Sequence, residues 1–145
     1  MGALMGLFGK NDKQDGKAAE NAAMKAEYAR LEALPLARLA EEILVRCYGP
    51  GGPGADLSGP TLTALCGVLN PATSVFGIDE RVRSAFAPLV AEGVQVLEQA
   101  RLVVTRFSGG DMSSLGWALT RAGQEALARG DAGARIDALL APRAA

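Results

Sequence analysis

Apolar residues recur at helical spacing over most of the chain, and this pattern predicts a mainly helical protein. The clearest stripe lies in residues 35–48, where five positions face inward: Leu36, Leu39, Ile43, Leu44 and Cys47. A longer pattern covers residues 79–100. Because a proline cannot continue the hydrogen-bond ladder of a helix, Pro88 predicts a division into helices 79–87 and 88–100.

Weaker helical patterns lie on both sides of these segments. Residues 17–34 predict an amphipathic helix, residues 61–69 a short one, and two further helices follow Thr120. Residues 1–16 are rich in Gly, Asp, Lys and Gln, which is typical of a disordered tail. We therefore expect a tail, an N-terminal helix over 17–34 and one domain over 35–140.

The spacing changes to that of strands between residues 102 and 119. Residues 102–107 are a β-branched and aromatic run, and residues 115–119 alternate large and small side chains. The Gly, Asp and Ser residues of 108–114 predict a turn between the two runs. Thr120 is placed to cap the next helix and Gly130 to end it. This order predicts a β-hairpin that packs against a helical core.

The second half of the chain carries the pattern Leu97-x-x-Ala100-x-Leu102-Val103, then a polar tip, then Leu119-Thr120-x-x-Gly123-x-x-x-Leu127. This pattern resembles that of bacterial winged helix-turn-helix proteins of the MarR and PadR type. Ala100-Arg101 stands where these families usually have a glycine before Leu-Val. The resemblance implies a winged-helix-like single domain, mainly α with a small β-hairpin and with extra N- and C-terminal helices.

Composition fits one domain with a real core, since the chain has 145 residues and ordinary apolar content. Aromatic residues are few, and we expect five of them to be buried anchors of the core: Tyr48, Phe76, Phe86, Phe107 and Trp117. Cys47 and Cys66 lie on apolar helical stripes and predict buried free thiols, which fits a cytoplasmic protein. No apolar run is long enough to span a membrane.

Two loops are predicted between the helices. Residues 49–60 are rich in Gly and Pro, but no strand precedes them and no Lys-Ser or Lys-Thr follows, which argues against a phosphate-binding loop. In residues 72–78 the side chains of Val75, Phe76 and Ile78 are too apolar for an ordinary loop. We expect them to plug the core, with a contact surface as the alternative.

Catalysis is not expected, because the chain has no His and carries no hydrolase or dinucleotide motif. The close carboxylate pairs also fail to converge, since neighbouring residues on a helix point in different directions. We therefore predict a non-enzymatic protein with no cofactor and no metal site.

Duplex DNA is the partner that the resemblance implies, although the charge does not favour it. Four arginines between Thr61 and Gly110 are balanced by four carboxylates, and the formal net charge of the chain is −1. A reading helix at 88–100 would present Glu92 and Glu98 to phosphates and leave only Gln95 and Gln99 to read bases.

A reading helix that begins at Asp79 would bring more suitable residues to the DNA. Arg81, Arg83 and Ser84 would then lie near its N-terminus, where base contacts occur. Arg106 on the wing and Arg121 on the helix that follows it could contact phosphates. These five residues are the predicted DNA contacts.

A protein-interaction module is the alternative function, because the predicted groove face is not basic. A homodimer is also expected, since Ile136, Leu139 and Leu140 form an apolar stripe on the C-terminal helix. That stripe could dock on residues 17–34 or on a second subunit.

Overall fold

Six helices and one antiparallel hairpin make up the part of the chain that is described, in a computed structural model that covers residues 2–71, 85–107 and 115–142. Of residues 2–15 and Lys17 only the helical backbone is described. The elements in chain order are α1 Gly2–Glu32, α2 Leu36–Tyr48, α3 Leu62–Leu69, α4 Ala87–Gln99, β1 Val103–Phe107, β2 Leu115–Leu119, α5 Arg121–Arg129 and α6 Ala132–Leu140. The predicted mainly α fold with a β-hairpin is confirmed.

Helix α1 begins far before the predicted start at Lys17. Its backbone is helical from Gly2, so the disordered tail expected over residues 1–16 is corrected for residues 2–16. The stretch contains no proline to interrupt the hydrogen-bond ladder, although its four glycines lower its helix propensity. The helix ends at Glu32, shortly before Pro35, as proline chemistry predicts.

Helix α2 forms the centre of the core. Its buried face packs against α3, α4 and α6. Gly93 of α4 lets the two central helices approach closely, because a Cβ there would lie 2.3 Å from Cδ1 of Ile43. The largest fully buried side chains are Phe86, Leu31, Ile43, Leu44, Leu65, Leu69, Leu97, Leu102, Ile136, Val90, Val94 and Cys47.

The hairpin pairs Val103 with Leu119 at its base and Phe107 with Leu115 at its far end. A third segment joins it, because Thr61 forms a bridge with Gly116 and the N–H of Trp117 donates to the carbonyl of Pro60 at 3.1 Å. The Tyr48 hydroxyl donates to the carbonyl of Trp117 at 2.7 Å, which ties the hairpin to α2.

The expected aromatic anchors differ in their burial. Tyr48 and Phe86 are buried as predicted, and Trp117 is half-buried against the core. Phe107 is 55% exposed, so its predicted burial is wrong. The reason is its place at the far end of the hairpin, beyond the reach of the core. Phe76 lies outside the described residues.

Pro88 begins a helix rather than dividing one within the described chain. It lies in the first turn of α4, where its missing N–H leaves no hydrogen bond unmade. The predicted helix 79–87 and the apolar residues Val75, Phe76 and Ile78 fall outside the described residues, apart from Ala85 to Ala87.

The C-terminal stripe is divided between core and surface. Ile136 is fully buried inside the chain, so its predicted place in a dimer interface is corrected. Helix α6 packs on α2, and Arg38 holds it there through Asp137 at 2.6 Å. Leu139 and Leu140 are 40% and 38% exposed and remain available at the surface.

The two cysteines are buried and free, as predicted. Burial raises the pKa of the Cys47 thiol to about 12 and also raises that of Cys66, so both are thiols at neutral pH. No helix in the described ranges is both long enough and apolar enough to cross a membrane.

Helix α1 is held to α2 by a network of ion pairs. Arg30 contacts Glu27 at 2.6 Å and Glu42 at 2.7 Å, while Arg46 contacts Glu27 at 3.1 Å. The predicted pair of Glu42 and Arg46 belongs to this network at 3.7 Å. Arg46 also donates to the carbonyl of Val68 at 3.0 Å, which adds α3 to the same cluster.

We predict that Glu27 makes the stability of the fold depend on pH. Hydrogen bonds from Arg30 hold the pKa of Glu27 below its ordinary value. A lowered folded-state pKa adds stability above the unfolded pKa, and this contribution is lost as the pH falls through the folded pKa. Glu27→Gln should therefore lower the urea midpoint at neutral pH. On acidification below about pH 4.5, the midpoint of this variant should fall by less than that of the parent protein. Parallel losses in both proteins, measured by urea unfolding across this range, would contradict the network's role.

Candidate nucleic-acid interface

Helix α4 presents a polar face outward and an apolar face to the core. Ala91, Glu92, Gln95 and Gln99 are exposed, whereas Leu89, Val90, Val94, Val96 and Leu97 are buried. The outward face is the one that the helical spacing predicts. It contains amide side chains that can make paired hydrogen bonds to a base edge, but no basic residue.

One of the two carboxylates expected on this face is held elsewhere. The Thr105 hydroxyl of β1 donates to Oε1 of Glu98, so the Glu98 carboxylate is directed toward the hairpin. Glu98 is also only partly exposed. A hydroxyl does not neutralise a carboxylate, so the predicted repulsion of phosphates by Glu92 and Glu98 stands, with that of Glu98 moved toward the hairpin.

The turn between α4 and β1 fixes the hairpin relative to α4. The N–H of Leu102 donates to the carbonyl of Leu97, and the N–H of Arg101 donates to that of Glu98, both at 2.9 Å. This is a Schellman ending, and Leu97 and Leu102 supply its hydrophobic contact because both are fully buried.

Arg101 adopts the left-handed conformation that this ending requires, with φ at 60°. Glycine adopts that conformation without strain, whereas another residue is disfavoured there. The side chain of Arg101 is exposed, so the position provides a cation at the junction of helix and hairpin.

Thr120 closes the same junction from the other side. Its N–H donates to the carbonyl of Leu102 at 3.0 Å, and its hydroxyl donates to that of Arg101 at 2.7 Å. The hydroxyl oxygen also accepts from the N–H of Gly123 at 3.0 Å, which caps α5 as predicted. A Cβ on Gly123 would lie 2.2 Å from the carbonyl oxygen of Leu102, so only glycine fits this approach.

The predicted DNA contacts are only partly within the described chain. Arg106 is exposed on β1 and donates to the carbonyl of Leu57 at 3.0 Å, and Arg121 is exposed at the start of α5. The structure places both on the hairpin side of the domain. Arg81, Arg83 and Ser84 lie outside the described residues, and their contacts stay a prediction.

Arg101 was not among the predicted contacts. The signal for it was its replacement of the usual glycine, because a charged side chain in that turn has no room in the core and must face solvent. Since Thr120 bonds to its carbonyl, Arg101 lies beside Arg121 at the base of the hairpin. Arg106 lies five residues further along the chain, which corresponds to at most about 17 Å for fully extended backbone.

The arginines of the helices and those of the hairpin region differ in their partners within the described ranges. Arg30, Arg38, Arg46 and Arg135 form ion pairs with carboxylates on α1, α2 and α6. The arginines of the hairpin region form none with a described carboxylate: Arg101, Arg106 and Arg121. Lys25 and Arg129 also form no ion pair among the described side chains, so three of the five unpaired cations lie near the hairpin, although the net charge of the chain is slightly negative.

Other parts of the described surface form a mostly apolar groove and contain no cluster of metal-binding side chains. A groove of about 290 Å³ between α1 and the start of α4 is lined by Met24, Lys25, Tyr28, Ala85 and Phe86. Tyr28 and Phe86 meet edge to face in its wall, with ring centroids 5.5 Å apart. No three carboxylate or thiol side chains among the described residues come close enough together to hold a metal ion.

No protein-family model, curated protein sequence or solved structure matches this chain.

We predict that the contact at Gly123 limits stability. Gly123→Ala should lower the free energy of unfolding by about 2 kcal/mol or more, because the new methyl group meets backbone that cannot move alone. Gly67→Ala is the matched control, since Gly67 lies in α3 with open space around its Cβ position. It should raise stability by about 0.5–1 kcal/mol through helix propensity. Urea unfolding measures both, and an equal effect of the two substitutions would contradict the close approach.

Proposed function

We propose that this chain is a winged-helix protein that binds duplex DNA through α4 and the hairpin. Helices α2, α3 and α4, followed by β1 and β2, have the order that the resemblance to MarR-like and PadR-like regulators implies. The contacts of Thr120 and Gly123 give a physical reason for the Leu-Thr-x-x-Gly part of that pattern. The proposed role is that of a cytoplasmic regulator with no catalytic activity.

One observation carries the proposal: three of the five cations that form no ion pair among the described side chains lie at the hairpin. Arg101, Arg106 and Arg121 have no described carboxylate partner, so they can neutralise phosphates without first breaking an ion pair. Arg101 and Arg121 at the base of the hairpin and Arg106 toward its far end are placed to contact more than one phosphate. Gln95 and Gln99 on α4 would then supply the base contacts, since an amide can pair with both hydrogen-bonding groups of an adenine edge.

A protein-interaction module is the second candidate. It is favoured by the absence of any basic residue from α4 and by two exposed apolar side chains on β1. Val104 and Phe107 are 52% and 55% exposed, and side chains of this kind are common at the centres of protein interfaces.

The test is a salt-dependent titration with random duplex DNA. We expect binding at low salt, with a binding constant that falls as the salt concentration rises. The slope of log K against log salt concentration should decrease in magnitude by about one in each of three variants: Arg101→Gln, Arg106→Gln and Arg121→Gln. Arg129→Gln is the matched control, because Arg129 is exposed at the opposite end of α5 from Arg121. That variant should keep the slope of the parent protein.

Two outcomes would count against DNA binding. The first is no detectable binding at low salt, which would leave the protein-interaction module as the surviving candidate. The second is an equal loss of slope in Arg129→Gln, which would indicate that positive charge acts without regard to its position. Arg81→Gln and Arg83→Gln, measured in the same way, test the contacts predicted from sequence alone.

A further inference from the structure

We infer that the free edge of β1 pairs with β1 of a second copy of this chain, in antiparallel register centred on Thr105. The inference concerns the backbone edge of the hairpin and does not rest on the proposed binding of DNA.

Strand β1 is an edge strand of the described sheet. Its partner β2 lies between β1 and the segment that contains Thr61, because β2 pairs with β1 on one side and bridges to Thr61 on the other. An edge strand presents a row of N–H and C=O groups that can add another strand.

The register of the hairpin shows which backbone groups of β1 point outward. In an antiparallel pair, residues that exchange hydrogen bonds alternate with residues that do not. The N–H of Thr120 donates to the carbonyl of Leu102, which assigns hydrogen bonding toward β2 to residues 102, 104 and 106. The outward bond of Trp117 to Pro60 agrees, since Trp117 faces Thr105. The backbone groups of Val103, Thr105 and Phe107 therefore point away from β2.

The side chains of β1 leave this edge accessible over most of its length. Residues 104–107 are exposed, and β1 contains no proline and only one charged residue. Proline and inward-pointing charge are the usual means by which a protein blocks an edge. Val104 and Phe107, which are more than half exposed, would gain contacts when another strand is added.

Self-pairing follows from the sequence Val-Val-Thr-Arg-Phe of this strand. The outward N–H and C=O groups of one copy must face the outward groups of the other. The two-fold axis of the pair therefore passes through a residue, and the central candidates are Val104, Thr105 and Arg106. An axis at Arg106 would place that arginine opposite its own copy, which is unfavourable. An axis at Val104 would carry one end of the ladder into the turn at Arg101.

Only the axis at Thr105 uses all five residues of the strand without like charges in register. Thr105 then faces its own copy, Val103 faces Phe107, and Val104 faces Arg106. The pairing of an aromatic with a β-branched residue is among the favourable cross-strand pairs. Because five residues make a short ladder, we expect weak association with a dissociation constant on the order of micromolar or above.

The test combines sedimentation equilibrium with hydrogen exchange by NMR, without DNA. A concentration-dependent dimer should form, and the amides of Thr105 and Phe107 should exchange rapidly in a dilute sample and slowly in a concentrated one. The amides of Val104 and Arg106, which bond to β2, should be protected in both samples.

Two substitutions at one exposed position should shift the dissociation constant of the dimer in opposite directions. Val104→Lys places a positive charge opposite Arg106 of the other copy and should raise the dissociation constant about fivefold. Val104→Glu places a negative charge there and should lower the dissociation constant by a similar factor. Because Val104 is 52% exposed, both variants should fold as the parent does.

Three results would overturn the inference. One is a monomer mass at all concentrations. Another is a dimer in which the amides of Thr105 and Phe107 still exchange rapidly, which would indicate an interface elsewhere, such as the exposed Leu139 and Leu140. The third is a shift of the dissociation constant in the same direction by Val104→Lys and Val104→Glu.

Discussion

The hydrogen bonds around Thr120 are the constraint on which the surface of this domain depends. One residue bonds to the last turn before β1 and at the same time caps the helix after β2. The two ends of the hairpin are thereby joined to each other and to the end of α4. Since Arg101 must adopt a left-handed conformation for α4 to end there, the direction of the hairpin is set by local backbone chemistry as well as by the core.

The same junction explains why the charges of this nearly neutral chain are unevenly available. Ion pairs that join α1, α2 and α6 occupy the arginines of that side, where they hold helices together. The hairpin is held by backbone hydrogen bonds, glycine contacts and the Tyr48 hydroxyl, so its arginines are not needed as structural ion pairs. The net charge of the chain therefore understates the number of unpaired cations that the hairpin presents to an anionic partner.

Much of the fold could be predicted from the sequence, because the signals involved are local. The caps at Thr120 and Gly130 depend on side-chain and backbone chemistry within one turn, and both are confirmed. The strands can be predicted because β1 is a β-branched and aromatic run and because large and small residues alternate in β2. The stripe of α2 was clear because its five inward positions are all large or apolar.

The remaining features depend on contacts between distant residues, and no local pattern contains them. Ile136 has the same stripe character as Leu139, and only the packing of α6 on α2 distinguishes the buried residue from the exposed one. Phe107 has the composition of a core residue but lies at the far end of the hairpin. The Glu98 carboxylate points toward the hairpin because it accepts a hydrogen bond from Thr105, which lies seven residues later in the chain.

The most direct measurement of the central claim is the stability of variants at Thr120. Thr120→Ser keeps the hydroxyl, and we expect its free energy of unfolding to stay within about 0.5 kcal/mol of the parent. Thr120→Val keeps the shape but removes the cap and the bond to the turn, and it should cost about 1–2 kcal/mol or more. A near-neutral Thr120→Val, measured by urea unfolding, would contradict the claim that this residue fixes the hairpin to α4.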